Sequence, residues 1–157
     1  MTIAVVPGSF DPPTLGHVDV ISRAAGVFER VVIAVVTNPS KSALFSADER
    51  KAMLEEICSE WQNIDVDDFP GLLVDFVRQK GAGVIVKGLR AVADFEYELQ
   101  MAQMNHHLSG VQTVFMPTSP EHAYLSSSLV KEVGRFGASL DGLVSPVVAA
   151  ALKERFE

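Results

Sequence analysis

The stretch Gly8-Ser9-Phe10-Asp11-Pro12-Pro13-Thr14-Leu15-Gly16-His17 follows the apolar run Ile3-Ala4-Val5-Val6 and leads into a helical pattern near Val18. A strand that feeds a glycine-bearing turn and then a helix is a place to hold phosphate. Backbone N–H groups point outward there, and the helix dipole favours negative charge. Gly16, beside His17, leaves room for a ligand to approach closely. A histidine at a helix start is often there only to bond a backbone group. Here the adjacent glycine, and Thr14 three residues earlier, favour a ligand role for His17.

Working outward, short apolar runs alternate with longer amphipathic stretches. Runs at 3–6, 31–36, 64–66, 84–86 and 113–116 are short and rich in β-branched residues, which predicts strands rather than buried helix. Helices are expected at about 15–28, 46–58, 73–80, 94–108 and 127–136, with a last one from Pro146. Ser46 with Glu49 three residues on is a capping box. Gly81 and Gly137 stand where helices commonly stop, and Pro146 suits a first helical turn. Repeated strand–helix units with right-handed crossovers predict an α/β fold. The expected form is a single-domain, Rossmann-like, doubly wound five-stranded parallel sheet with helices on both faces. One domain over residues 1–157 is expected, since no linker, repeat or low-complexity tract divides the chain.

Composition narrows the function classes. Apolar residues make up 48% and charged residues 21%, so the chain can build an ordinary globular core. A net charge of -7 provides no global basic field, which argues against a nucleic-acid partner. A small anionic ligand would need a local basic cluster instead. Cys58 is the only cysteine, so an intrachain disulfide and a multi-cysteine metal site are both excluded. Its apolar neighbours Leu54 and Ile57 predict a buried, structural thiol, and a reducing cytoplasm fits. Neither a signal-peptide pattern nor an apolar run near the roughly 18 residues of a membrane span is expected to play a part.

In a doubly wound sheet, ligands bind beyond the carboxyl ends of the strands. The segments there carry Lys41, Lys87, Arg90, His17 and the serines Ser126, Ser127 and Ser128. Lone lysines are usually solvated, but Lys87 directly follows an apolar strand. One serine suffices to cap a helix, so three leave hydroxyls to spare. Such a set suits a phosphate-rich nucleotide. Neither G-x-x-x-x-G-K-[ST] nor G-x-G-x-x-G follows the first strand, so P-loop and standard dinucleotide sites are excluded. Asp94, Glu96 and Glu98 read as a solvated helix start that suits the dipole, rather than metal ligands. The adjacent His106 and His107 read as surface or interface residues.

Together, Pro7-Gly8-Ser9-Phe10-Asp11-Pro12, Thr14-x-Gly16-His17, Lys87-Gly88-Leu89-Arg90, Asp94-Phe95-Glu96-Tyr97-Glu98, Gln103-Met104-Asn105 and Ser126-Ser127-Ser128-x-x-Lys131-Glu132 strongly resemble the bacterial phosphopantetheine adenylyltransferase family. The resemblance runs over nearly the whole chain, and the length matches a single-domain member. Thr-x-Gly-His alone marks only the wider nucleotidylyltransferase superfamily, whereas segment 87–98 is more specific. The resemblance implies transfer of the adenylyl group of ATP to 4'-phosphopantetheine with Mg2+, giving 3'-dephospho-coenzyme A and pyrophosphate. It also implies a cytoplasmic homohexamer with coenzyme A as a feedback inhibitor. His17, Lys41 and Arg90 are then the catalytic candidates. Ser9, Phe10, Thr14, His17, Gly88, Leu89, Arg90, Glu98, His122, Ala123, Tyr124, Leu125, Ser126, Ser127 and Ser128 match ATP-contacting positions. Ser9, Lys41, Leu73 and Lys87 match acceptor-binding ones. His122 departs from the tryptophan or tyrosine common at its position. No residue is singled out as a metal ligand. The alternatives are another nucleotidylyltransferase, using CTP or a nicotinamide mononucleotide acceptor, a non-catalytic nucleotide sensor on the same fold, and a structural or interaction module.

Overall fold

A computed structural model describes residues 2–157. Its five strands are β1 (Ile3–Gly8), β2 (Arg30–Val36), β3 (Ile64–Phe69), β4 (Val84–Leu89) and β5 (Gln112–Pro117). They form one parallel sheet in the order β3-β2-β1-β4-β5. Between them run α1 (Leu15–Val27), α2 (Ala47–Ile57), α3 (Leu73–Gln79) and α4 (Val92–Ser109). A short 3-10 turn (Pro120–His122), α5 (Ser127–Arg135) and α6 (Pro146–Phe156) complete the chain. The expected doubly wound α/β sheet is present. Among the described residues, no helix is long and apolar enough to cross a membrane.

Side chains on neighbouring strand positions face opposite ways, so the sheet feeds two cores. Ala4 and Val6 of β1 join Val20, Ile21 and Ala24 of α1 and Leu54 of α2 on one face. Val5 and Ile85 join Val74, Phe76 and Val77 of α3 on the other. Burial on both faces explains the unbroken apolar runs of the central strands. A third cluster, including Phe45, Met53, Val130 and Val148, ties α2, α5 and α6 together. Cys58 is buried in the first core, and burial pushes its thiol up to about 11, so it is structural as expected.

Several boundaries differ from the sequence reading: β1 runs on to Gly8 rather than stopping at Val6, and β4 to Leu89 rather than Val86, so Lys87, Gly88 and Leu89 end a strand instead of following it. β3 extends to Phe69 rather than stopping at Val66. It is an edge strand, where carboxylates are tolerated, and Asp67 is held by Lys80 at 2.5 Å and Lys51 at 3.6 Å. α4 opens at Val92, two residues before Asp94. The last predicted strand and the helices otherwise lie where the periodicity puts them.

The chain adds β2 and β3 on one side of β1, then crosses to add β4 and β5 on the other. The topological switch therefore lies between β1 and β4. β1 and β2 are in register over six pairs, from Ile3↔Arg30 to Gly8↔Val35. β1 and β4 match at only two, Ala4↔Val84 and Val5↔Ile85, and their carboxyl halves then diverge. Helix α1 leans across this gap. A Cβ built on Gly88 of β4 would lie 2.9 Å from Val20 Cγ2 on α1. The bare glycine sets how closely the helix approaches. Gly88→Ala is expected to cost about 1–3 kcal/mol through overpacking. At about 2–4 °C per kcal/mol for a chain of this size, thermal unfolding should shift down by several degrees. An unchanged midpoint would show that the contact is not tight.

Candidate active site

Thr14 is the N-cap of α1, and its hydroxyl accepts the His17 N–H at 3.4 Å. In return His17 Nδ1 accepts the Thr14 N–H at 2.9 Å. This is a capping box in which imidazole takes the place usually held by glutamate or glutamine. The bond fixes the tautomer: Nδ1 is an acceptor, so the neutral ring carries its proton on Nε2 and offers one donor there. Burial, then the charges of Arg90 and Lys87, lower the His17 pKa to about 4. The ring is therefore a neutral donor at pH 7. Phe10 holds it from the side, edge-on, with ring centroids 5.0 Å apart. Phe10 adopts φ 51, a left-handed conformation unfavourable for a bulky residue. Strain of this kind tends to sit at functional sites. A Cβ on Gly8 would lie 3.0 Å from the ring of Phe10. A side chain at position 8 would therefore press on the ring that holds His17.

Three clefts meet around this turn. One of about 340 Å³ opens over the β1–β4 gap and is lined by His17, Lys87, Gly88, Arg90 and the three serines. A second, about 380 Å³, includes Ser9, Leu73, Lys87, Tyr97 and Met101 and is the most apolar in character. A third, about 480 Å³, includes Ser9, His17, Lys41, Arg50, Ser128 and Lys131. His17, Phe10 and Ser128 belong to both the first and third, and Lys87 to both the first and second. These volumes suit small ligands.

The cations are held differently from one another. Lys87 pairs with Glu98 at 3.3 Å and Arg90 with Asp94 at 3.2 Å. Arg90 also donates to the Leu125 carbonyl at 2.8 Å, linking β4 to the loop before α5. Asp94 and Glu98 are thus not a solvated helix start. Their side chains are 32% and 20% exposed, and the four-residue spacing puts both on the face of α4 turned to the cleft. Lys41 is exposed on the segment between β2 and α2 and has no ion pair among the described residues.

The three serines divide their work. Ser126 caps α5 by accepting the Leu129 N–H, and Ser127 donates to the Pro12 carbonyl at 2.8 Å. Only the Ser128 hydroxyl is unengaged, so one hydroxyl is spare rather than two. Thr14 likewise spends its hydroxyl on the helix cap, although it lines the first cleft. Leu125 is buried and lines that cleft too. Leu89, His122, Ala123 and Tyr124 line none of the three clefts. His122 lies against Gly16, its Nδ1 is buried without a hydrogen-bond partner, and its Nε2 is 3.8 Å from Glu121.

Three residues that the sequence reading passed over hold the site together. Asp11 accepts the Leu44 and Phe45 N–H groups, both at 2.9 Å, and Lys131 Nζ at 3.2 Å. Asp19, two residues beyond His17 in α1, accepts the Ser119 N–H and hydroxyl at 3.0 and 2.9 Å, which keeps the loop after β5 beside α1. These bonds and Arg23 lower its pKa. Arg50 is the third. Asp11 stands inside the motif quoted first, but its role there depends on partners far along the chain, and the same holds for Asp19 with Ser119 and for Arg50 with Ser9.

The cytidylyltransferase-like family model matches residues 5–133. Among curated proteins, the chain is 53% identical over 155 residues to phosphopantetheine adenylyltransferase of Streptomyces coelicolor, covering 99% of this chain and 98% of that one. It is 50% identical to the proteins of that name from Alkaliphilus metalliredigens and Geotalea daltonii, with 99% of this chain covered in each case. Among solved structures, a nicotinate-nucleotide adenylyltransferase of Vibrio parahaemolyticus aligns with TM-score 0.69 at 17% identity, over 99% of this chain and 95% of that one. A lipopolysaccharide core biosynthesis protein of Thermoplasma volcanium aligns with TM-score 0.54 at 20% identity, over 76% of this chain and 97% of that one. These two share the fold. On identity of about half over nearly full length, the chain belongs to the phosphopantetheine adenylyltransferase family.

Proposed function

We propose that this chain is one nucleotidylyltransferase domain that transfers the adenylyl group of ATP to 4'-phosphopantetheine, giving 3'-dephospho-coenzyme A and pyrophosphate. The observation that carries the reading is the position of His17. Its ring walls both the cleft with Lys87 and Arg90 and the cleft with Lys41. A donor between two anion-binding clefts suits transfer of a phosphoryl-type group from one to the other.

An acceptor phosphate oxygen attacks the α-phosphorus of ATP in line. The new P–O bond forms as the bridging bond to the β-phosphate breaks, and pyrophosphate leaves with that electron pair. The acceptor is already anionic at pH 7, so no base has to remove a proton and no covalent enzyme intermediate is needed. Catalysis then rests on positioning and on stabilising charge as it moves. In this scheme His17 Nε2–H bonds a non-bridging α-phosphate oxygen. Arg90, Ser128 and the amides at the start of α5 hold the departing pyrophosphate. Lys41 and Lys87 draw in the acceptor phosphate as point charges, and the pantetheine arm lies along Leu73. Ser9, Phe10, Thr14, Gly88, Glu98 and the segment 125–128 border the nucleotide, with Leu89 and residues 122–124 adjoining them in the chain outside the clefts. Asp94 and Glu98 give up Arg90 and Lys87 to the incoming phosphates.

Among the described residues, no three histidine, cysteine or acidic side chains gather as a metal-binding group. The two carboxylates in the cleft are already engaged with cations. Mg2+ fits this site as the counter-ion of the ATP phosphates, keeping most of its waters. Coenzyme A shares the pantetheine arm of the acceptor and would act as a feedback inhibitor in the same clefts. The setting proposed is the cytoplasm. Helix α4 supports the proposal of a homohexamer. It has no buried residue over 18 positions, while Val92, Tyr97, Met104 and Leu108 are exposed in the single chain. Contiguous exposed apolar surface of this kind suits association.

Pyrophosphate release with a panel of nucleotides and acceptors should single out ATP with phosphopantetheine; turnover of another pair with this one inert would overturn the reading. His17→Ala should leave ATP binding within several-fold and lower turnover by about 10² or more. Equal turnover would remove His17 from the mechanism. In 15N spectra the His17 ring should show the Nε2–H tautomer and no titration above about pH 5. Because its folded pKa lies below the unfolded value of 6.5, the unfolded state binds more protons between those values. Stability is therefore lost as pH falls from about 6.5 towards 4, and His17→Gln should lose less over that window. Sedimentation should give a mass near six chains. A monomer would overturn the hexamer.

A further inference from the structure

We infer that Arg50 is a positioning residue for the acceptor-phosphate site, acting through the segment that carries Lys41. Arg50 lies in the first turn of α2 and is 5% exposed. Its Nε donates to the Phe45 and Ser46 carbonyls at 3.1 and 3.3 Å. Its Nη1 donates to the Ser9 and Val36 carbonyls at 2.7 and 3.1 Å. No carboxylate pairs with it among the described residues. A buried cation held only by carbonyl dipoles is costly to keep. A planar fork is also the one side chain that can hold several carbonyls at fixed angles.

The four carbonyls are not scattered. Val36 ends β2, while Phe45 and Ser46 end the segment and start α2. Residues 37–45 are therefore hung from one guanidinium at both ends, and the Ser9 carbonyl ties that anchor to the turn beside His17. Asp11 pins the same segment from the other side, through the Leu44 and Phe45 amides. Two more bonds act at its ends, from Thr37 to the Phe69 carbonyl at 3.1 Å and from Arg155 to the Leu44 carbonyl at 2.7 Å. Between 38 and 43 the hydrogen bonds among the described residues are local: Lys41 N–H to the Asn38 carbonyl, and Ser40 to the Asn38 side chain. Lys41 therefore has no tether of its own to the cleft. Its place relative to His17 is set by the anchors at the segment's ends, of which Arg50 alone reaches both ends and Ser9. Arg50 also lines the third cleft together with Lys41, so its unpaired charge adds to the field there.

This inference rests on the acceptor reading above, and the test separates the two. Parent enzyme without turnover of ATP and phosphopantetheine would sink that reading. With active parent, Arg50→Lys keeps the charge and loses the fork. It should raise KM for phosphopantetheine by roughly 10- to 10²-fold, as small misplacements do, and leave KM for ATP within about threefold. Combined with Lys41→Ala, it should add little to the loss caused by Lys41→Ala alone, since both act through one ammonium group. KM values that rise together, or losses that multiply in the double variant, would overturn the inference. If circular dichroism shows that Arg50→Lys does not fold, the same cycle is run with Asp11→Asn, which loosens the other anchor of the segment. An unchanged phosphopantetheine KM in that variant would equally overturn it.

Discussion

β1 and β4 share two registered pairs and then separate, and the site follows from that separation. In a parallel sheet covered on both faces, the interior cannot accept unpartnered polar groups, so chemistry is displaced to the strand ends. Where neighbouring strands lead off to opposite sides, the connections also part and leave a crevice. His17, Lys87, Gly88 and Arg90 stand at that crevice because each lies in the carboxyl-terminal end of a central strand, just past it, or at the start of the helix that leaves it. The approach of α1 to Gly88 then decides how far the crevice is closed from one side.

The electrostatics of the site are set by pairing. The chain is acidic overall, with a net charge of -7, yet three cations face the clefts with a carboxylate already attached: Lys87 with Glu98, Arg90 with Asp94 and Lys131 with Asp11. Such pairs hold side chains in place without leaving a bare positive patch. The cations without a carboxylate partner, Lys41 and Arg50, both border the third cleft. A ligand phosphate arriving at Lys41 meets a cation with no internal anion to displace, while Lys131 in the same cleft stays paired with Asp11. One arriving at Lys87 or Arg90 has to exchange with a carboxylate. The two sides of His17 therefore differ in kind, which suits a reaction in which one anion is bound for transfer and the other for release.

His17 shows how one residue serves folding and chemistry together. Its Nδ1 closes the capping box of α1, and the same bond decides which nitrogen keeps the proton. Burial beside Arg90 and Lys87 then holds the ring neutral. The motif Thr14-x-Gly16-His17 was legible as a binding signal before any fold was known. That Thr14 spends its hydroxyl on the cap was not, because a cap and a phosphate contact use the same atom and the sequence does not say which partner is nearer. The serine run poses the same problem: Ser127 is committed to the Pro12 carbonyl, 115 residues away.

The sequence by itself determined the strands and helices, their alternation, the parallel sheet and the rim on which His17, Lys87, Arg90 and the serines gather. These follow from local rules: β-branched runs, helical spacing, capping residues such as Ser46 and Glu49, and motifs whose residues are neighbours in the chain. Only the tertiary structure decided which groups are free. Asp94 and Glu98 read as solvated until α4 turned them onto Arg90 and Lys87. The roles of Asp11 and Arg50 could not be read locally, since Asp11 finds its partners 33, 34 and 120 residues away and Arg50 reaches up to 41. A hydrogen bond or ion pair depends on distance in space, and at such separations the chain order leaves that distance open until the sheet and its helices are packed.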